Sequence, residues 1–429
     1  MPRMVWTIAT RNVVGLAATL ALGLGASPVV SAQDGTCAPP TLPMPVVVPG
    51  GDASGALGQP GPAPDSPQAC WTWSMDAYTM NAETNEILAV GDLVVTVAHD
   101  PTVVALDATD GTERWQYDVS DEDYGGVNGL AAGDGAVYAG GIAGLTAIEA
   151  TDGSERWLYP VDNPDSANPQ WGGFFTPTAV AGTVYGATRV DDVAGASSYK
   201  LVALDAATGT ERWAIPISTE QVGAPASDGT LVVVEFYTLE DDLRWPNLGA
   251  FDAATGESRW VSEIRDVERW STTRPVVTAD LVYLGSQNGE VVARSTTDGS
   301  RVWRVDLGAV LDTLTIEDGT LYATTSDSVL HALNAKTGKK RWNAKPKLGS
   351  MSSAAVPAVV QDGPIVVAAS DDDAVGSLYA VDRKTGKQVW RVDTGPVGTG
   401  FTSPIVAGGR IALGMHDASG DRVVSFGTP

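Results

Sequence analysis

An eleven-residue motif recurs along the chain with fixed internal spacing, and it restricts the fold more than any other feature. Its copies are ALDATDGTERW (105–115), AIEATDGSERW (147–157), ALDAATGTERW (203–213), AFDAATGESRW (250–260), ARSTTDGSRVW (293–303), ALNAKTGKKRW (332–342) and AVDRKTGKQVW (380–390). In each, Ala stands first, Gly seventh and Trp last. The closing tryptophans Trp115, Trp157, Trp213, Trp260, Trp303, Trp342 and Trp390 are separated by 42, 56, 47, 43, 39 and 48 residues. Self-similarity at such a period is the mark of a repeat architecture, in which each unit is one supersecondary element. Each unit is too long for a single hairpin.

Residues 86–119 show what one unit contains. The runs ILAV, LVVTVA, VVALDA and RWQYDV are joined by turn residues, with no helical periodicity. Four short antiparallel strands in a meander of about 45 residues make the blade of a β-propeller. The first half of the motif reads as the third strand, with side chains alternating across two faces. The Asp-Gly or Thr-Gly pair reads as a tight turn whose glycine takes a positive φ. The Trp then falls on the outer strand, within reach of the neighbouring blade. Burying an indole removes roughly 150–250 Å² from water, a gross gain of about 4–6 kcal/mol. These tryptophans are therefore expected to be packing residues, not cofactor contacts.

Seven intact copies do not close a ring. Trp73 lies 42 residues before Trp115, and Trp73-Ser-Met-Asp76 matches Trp303-Arg-Val-Asp306, so an outer strand lacking a third strand precedes the first unit. At the other end Val423-Val-Ser-Phe426 resembles the third strand Leu378-Tyr-Ala-Val381 and has no outer strand after it. Pairing the halves gives an eighth blade and removes the free edges an open sheet exposes. Residues 73–429 divide into eight blades of about 45 residues each. The expected fold is an all-β, eight-bladed propeller of four-stranded antiparallel blades over 71–429, with Trp73 docking like the motif tryptophans.

The pattern A-x-D-x-x-T-G-x-x-x-W resembles the tryptophan-docking repeat of the PQQ-like (pyrroloquinoline quinone) β-propellers, from Trp73 to the end of the chain. That resemblance implies the fold directly. It implies function less directly, because sites are grafted on folds. The family holds quinoprotein dehydrogenases and also non-catalytic members resembling the outer-membrane assembly factor BamB. The dehydrogenases use adjacent cysteines over the quinone, calcium-binding oxygens, a base Asp and a stacking Trp. No Cys lies inside this propeller, and no segment matches the others. His99, His331 and His416 share no pattern and read as solvated or packed. The resemblance thus favours a non-catalytic binding or scaffold protein without cofactor. The alternative is a PQQ- and Ca²⁺-dependent dehydrogenase oxidising alcohols or sugars.

The N-terminal segment reads differently from the repeats. Arg3 and Arg11 precede the apolar run 13–26, and Val30-Ser31-Ala32 offers a small-residue cleavage site. Residues 1–32 therefore read as an export signal, an uncleaved anchor being the alternative, and no later apolar run approaches a membrane span. The expected location is periplasmic or extracellular. The net charge of −25, or −27 without the signal, disfavours nucleic acid and anionic lipid. Cys37 and Cys70, the chain's two cysteines, suggest a disulfide in an exported protein. It would fasten a Pro/Gly-rich linker (33–70) to the edge of the fold. A loop of this length gives about 3–4 kcal/mol in the chain-entropy picture.

The candidate binding surface comes from loop lengths. Second-to-third-strand loops and blade-to-blade connections emerge on one face, the motif turns on the other. Most length variation falls in the first group, at 162–173, 191–198, 239–247, 265–272, 371–377 and 416–421. These carry Trp171, Arg244, Trp245, Arg265, Arg269 and Trp270, of the residue types enriched in binding hot spots. A monomer that binds a protein or polymer on this face is expected. Asp371-Asp-Asp373 and Asp121-Glu-Asp123 lack calcium-loop spacing and read as solvated loops.

Overall fold

The computed structural model describes residues 29–32, 37–47, 59, 62–74, 87–98, 102–119, 126–141, 143–161, 174, 176–191, 197–218, 222–240, 243–264, 274–286, 288–309, 311–327, 329–344, 358–360, 363–370, 375–396, 400–417 and 420–429. They form eight antiparallel sheets and no helix. Blade one runs from its innermost strand, Ile87–Gly91, to its outermost, Glu113–Asp118. The next six span Val127–Pro160, Thr178–Ser218, Ala226–Glu263, Val276–Asp306, Leu311–Ala344 and Ala358–Pro396. Blade eight joins the chain ends: Gln68–Ser74 pairs with Gly420–Gly427, with Thr72 opposite Val424 and Trp73 opposite Val423. Arg410–Asp417 and then Ile405–Ala407 complete it towards the axis, where Gly400–Phe401 also pairs.

Burial follows from this stacking. Inner strands are sandwiched between adjacent blades, so both faces are dry and their sequences run continuously apolar, as in fully buried Leu93–Val97. Outer strands meet a neighbour on one face and alternate. In Glu113–Asp118, Trp115 and Tyr117 are buried while Arg114, Gln116 and Asp118 face solvent.

The motif is a device for joining blades. Trp115 Nε1 donates to the Ala150 carbonyl of blade two at 2.9 Å, and Trp213 Nε1 to Ala253 O of blade four at 3.1 Å. Trp157, Trp260, Trp303 and Trp342 make the same bond to Ala206, Thr296, Ala335 and Arg383. Each indole also lies on the motif glycine of the next blade. A Cβ on Gly256 (φ +72°) would come within 2.8 Å of the Trp213 ring. The glycine is thus required twice, for its backbone and for the ring against it. The turn around it is wider than the two-residue form expected: Gly111 N donates to Asp107 O, four residues back, and a β-bulge lets Trp115 face Ala105. Two-residue turns occur instead between first and second strands, as at Asp134-Gly135, where both φ values are positive (51° and 74°).

Blade eight corrects one assignment. The docking indole there is Trp71, not Trp73: Trp71 Nε1 donates to Ala108 O at 3.1 Å, and Trp71 is the ring that a Cβ on Gly111 would strike. The bulge in this strand falls at Cys70, so Trp71 faces Ser425 where other blades place Trp opposite Ala. Trp73, two residues on, points to the same side and is equally buried, but its Nε1 has no partner among the described residues.

The segment read as a linker is largely built into the ring. Its disulfide Cys37–Cys70 is formed. From there Ala38 N donates to Thr428 O and Thr41 N to Gly408 O, crossing the foot of blade eight. Met44–Val47 then pairs with Ile87–Gly91, a fifth strand on the axial side of blade one, touching the innermost strands of blades two and eight. Gln59, 1% exposed, sits between blades seven and eight: its amide donates to Val359 O and its side chain to Pro404 O. The physical reason is an unpaired edge. The innermost strand of a blade leaves backbone donors and acceptors facing the channel, and an extended Pro-containing segment satisfies them. Ala63, Ala69 and Trp390 pack against one apolar cluster shared by blades seven and eight. Val29–Ala32, assigned to the export signal, pairs with Trp71–Ser74 on the outer edge of blade eight.

Candidate functional site

The loop-rich face is most elevated over blades three and four. The second and third strands of blade three each have nine residues (Thr183–Asp191, Ser197–Asp205) and those of blade four ten (Leu231–Glu240, Leu243–Asp252). Their counterparts in blades one, two, five and six have five or six. The two longer hairpins therefore project as a ledge. Near the tip of blade four, Arg244 pairs with Leu239 and Trp245 with Thr238. Trp245 is half-buried, and Leu239 is 47% exposed. The ledge is braced from behind: Ser218 Oγ donates to the Tyr237 carbonyl, Val222 bridges to Phe236, and Asn247 Nδ2 donates to Thr238 Oγ1 at 2.9 Å.

Of the six residues singled out from sequence, Arg244 and Trp245 lie on this hairpin, within the strand Leu243–Asp252 and not in the 239–247 loop expected, because the blade-four strands pair further out than the turn residues suggested. Trp171, Arg265, Arg269 and Trp270 lie outside the described residues, as do His99, Asp121–Asp123 and Asp371–Asp373. Leu239 was not singled out, nor were Arg189 and Tyr199, which face each other across the blade-three hairpin. β-rich runs longer than six residues, such as LVVVEFYTLE, are the signal for projecting hairpins.

A second concavity lies on the opposite face, where sequence placed nothing. An open cleft of about 460 Å³ is lined by the first-to-second-strand turns of blades four to six, by Val180 of blade three and by the motif turn of blade six. Its floor includes Val277, Tyr283 and Ile316, and its rim carries Asp228, Asp280, Asp318 and Lys336. Two of the rim carboxylates have structural partners: Asp228 accepts from the amides of Thr230 and Leu231, and Asp318 pairs with Arg383 at 3.2 Å.

Titratable groups with displaced pKa values are explained by architecture. Asp205 and Asp252 are drawn down to about 2, first by hydrogen bonds from Arg212 and Arg259 and then by groups of their own turns. Tyr138 is pushed up to about 12 by burial. Its hydroxyl donates to Ala206 O, the carbonyl that also accepts from Trp157, and Tyr185 shares Ala253 O with Trp213 in the same way. The recurring Val-Tyr or Leu-Tyr pair of the second strand is a legible signal for this auxiliary dock. His331 is packed: burial lowers its pKa, and Nε2 lies 3.3 Å from Thr325 Oγ1.

A quinone with calcium, required by the dehydrogenase alternative, does not fit the described residues. No three His, Cys, Asp or Glu side chains among them come together to hold a metal ion. The two cysteines are joined to each other at the foot of blade eight, and Met44–Val47 occupies the channel beside blades one, two and eight. Among the described residues no helix is long and apolar enough to cross a membrane.

Comparison with known proteins follows the same division. The profile of a family described as outer membrane protein assembly factor BamB matches residues 70–235, 245–375 and 347–426. A curated protein of that description from Salmonella typhimurium is 30% identical over 139 residues, 32% of this chain and 32% of that protein. A quinoprotein ethanol dehydrogenase from Pseudomonas aeruginosa is 29% identical over 193 residues, 43% of this chain and 29% of that enzyme. The matches thus span about a third of these relatives' lengths. The crystal structure of BamB from Moraxella catarrhalis superposes with a TM-score of 0.54 at 18% identity, covering 82% of this chain and 98% of that one. At that identity the likeness concerns the fold.

Proposed function

The chain belongs to the PQQ-like β-propeller family of the outer membrane protein assembly factor BamB, and on that premise we propose that it is an exported, non-catalytic propeller that binds a protein through the ledge of blades three and four. The observation that carries this reading is the projecting pair of hairpins, which sets Trp245, Arg244 and exposed Leu239 beyond their neighbours on a braced scaffold. A half-buried aromatic and an exposed aliphatic group near the tip of one braced hairpin, with an arginine next in sequence, are the makings of a binding hot spot. The relatives named as assembly factors favour a protein partner over a polysaccharide or other polymer. The ring needs no second copy to close, so we assign it as a monomer.

Two measurements test the proposal. Purified protein supplied with PQQ and Ca²⁺ is expected to show neither quinone binding nor dye-linked oxidation of alcohols or sugars; turnover would establish the dehydrogenase instead. A photo-crosslinker placed at position 239 in the native host is expected to trap a protein, with the adduct lost in Trp245→Ala. Undiminished crosslinking in Trp245→Ala and Arg244→Ala would remove the ledge as the binding surface.

A further inference from the structure

One reactive cluster takes no part in the ledge or the cleft. Arg410, at the start of the second strand of blade eight, is 5% exposed, and its Nε and Nη1 have no hydrogen-bond partner among the described residues. A Cβ built on Gly427 would lie 2.7 Å from Arg410 Nη1 and 2.9 Å from Cys70 Sγ. Both atoms surround one point, so the guanidinium stands within about 6 Å of the sulfur. Arginine keeps its proton when buried, and an unpaired buried charge is unfavourable. The site therefore lacks one negative charge. A thiolate at Cys70 would supply it.

The disulfide is also asymmetric in access. Cys70 is 8% exposed and lies in the core of blade eight, whereas Cys37 is only partly buried. An external thiolate therefore reaches Cys37 Sγ first and expels Cys70, the sulfur beside the cation. A leaving thiolate that is stabilised departs faster, and a neighbouring guanidinium stabilises it.

We propose that Cys37–Cys70 with Arg410 is a thiol-exchange site, and that reduction by a protein dithiol loosens residues 38–47 from blades one and eight. One thiolate of the dithiol forms a bond to Cys37 Sγ as the Cys37–Cys70 bond breaks, its electron pair leaving on Cys70 Sγ. The second thiol then displaces Cys37. The dithiol is oxidised to its disulfide, both cysteines are reduced, and two protons pass from the dithiol to Cys37 and to Cys70 or water. The strap then holds by the backbone bonds of Ala38 and Thr41, by the pairing of Met44–Val47 and by Gln59, without its covalent fastening, and the axial edge of blade one becomes freer to exchange. This holds whether or not the ledge binds a partner.

The test uses the full oxidised chain equilibrated with dithiothreitol buffers, with the disulfide followed by alkylation mass shift and the backbone by hydrogen exchange. In reduced protein, amides of Met44–Val47 and Ile87–Gly91 are expected to exchange at least about tenfold faster, while blades three to six are unchanged. Arg410→Gln is expected to require about tenfold less oxidising buffer for half-reduction, with Arg410→Lys restoring the parent midpoint. Should Arg410→Gln not fold, the pH profile of Cys70 alkylation in reduced parent replaces it, with reaction expected well below the ordinary thiol range. Unchanged channel exchange after full reduction, an unshifted midpoint in Arg410→Gln, or an ordinary alkylation profile at Cys70 would each overturn the proposal.

Discussion

Replacing Gly256 with alanine separates two costs that the motif glycine combines. At φ +72° a side chain in the left-handed region costs about 1–2 kcal/mol. The added Cβ would also stand 2.8 Å from the Trp213 ring, which must move. Overpacking of this kind costs about 1–3 kcal/mol, and displacement weakens the 3.1 Å bond from Trp213 Nε1 to Ala253 O, worth about 1 kcal/mol. The expected loss for Gly256→Ala is thus about 3–5 kcal/mol. Gly182 has nearly the same φ, +73°, with nothing within 4 Å of a built Cβ, so Gly182→Ala should lose only the backbone part, about 1–2 kcal/mol. Trp213→Ala alone should cost about 3–5 kcal/mol. With the indole gone, adding Gly256→Ala should cost no more than Gly182→Ala does, leaving a coupling of about 2–3 kcal/mol. Urea unfolding of the parent and these four variants, monitored by far-ultraviolet circular dichroism, reads these differences. If Gly256→Ala costs the same with and without Trp213, the indole is not what the glycine accommodates, and the docking argument fails.

Three further predictions concern the closure and the turns. Trp71→Phe should destabilise by about 1–2 kcal/mol through loss of the bond to Ala108 O, whereas Trp73→Phe, which removes a buried N–H without a partner among the described residues, should cost less; thermal unfolding in the reverse order would return the docking role to Trp73. Deleting residues 423–429 strips Gln68–Ser74 of its partner and bares the edge of Arg410–Asp417, so light scattering should find aggregates, and a monomer of parental stability would contradict the split blade. Hydrogen bonds from Arg212 and Arg259 hold the carboxyls of Asp205 and Asp252 at about 2, below the ordinary 3.8. Their contribution is therefore complete above pH ~4 and lost as pH falls towards 2. Calorimetry between pH 5 and 2 should show a shallower decline in melting temperature for Asp205→Asn than for the parent; parallel declines would count against the Arg212 pair.

The site was legible only where local pattern carried it. Length variation at 239–247 marked Arg244 and Trp245, but as loop residues; that they stand on the strand Leu243–Asp252 of a long hairpin was not read. The cleft on the turn face left no such trace, because its walls come from four blades whose turns individually look alike.

Blade number, blade boundaries and the closure by both chain ends were set by the sequence alone, because strand alternation, turn chemistry and a repeated eleven-residue spacing are local properties. The joining of Cys37 to Cys70 was readable for the simpler reason that the chain offers no other pair. Tertiary structure alone decided the rest. Trp71 and Trp73 share a face two residues apart, and only the bulge at Cys70 selects which one meets Ala108. Whether residues 37–70 hang free or thread the channel depends on contacts such as Gln59 with Pro404, 345 residues distant in the chain. Such contacts satisfy backbone groups that exist only once the ring has formed, so no local window of sequence records them.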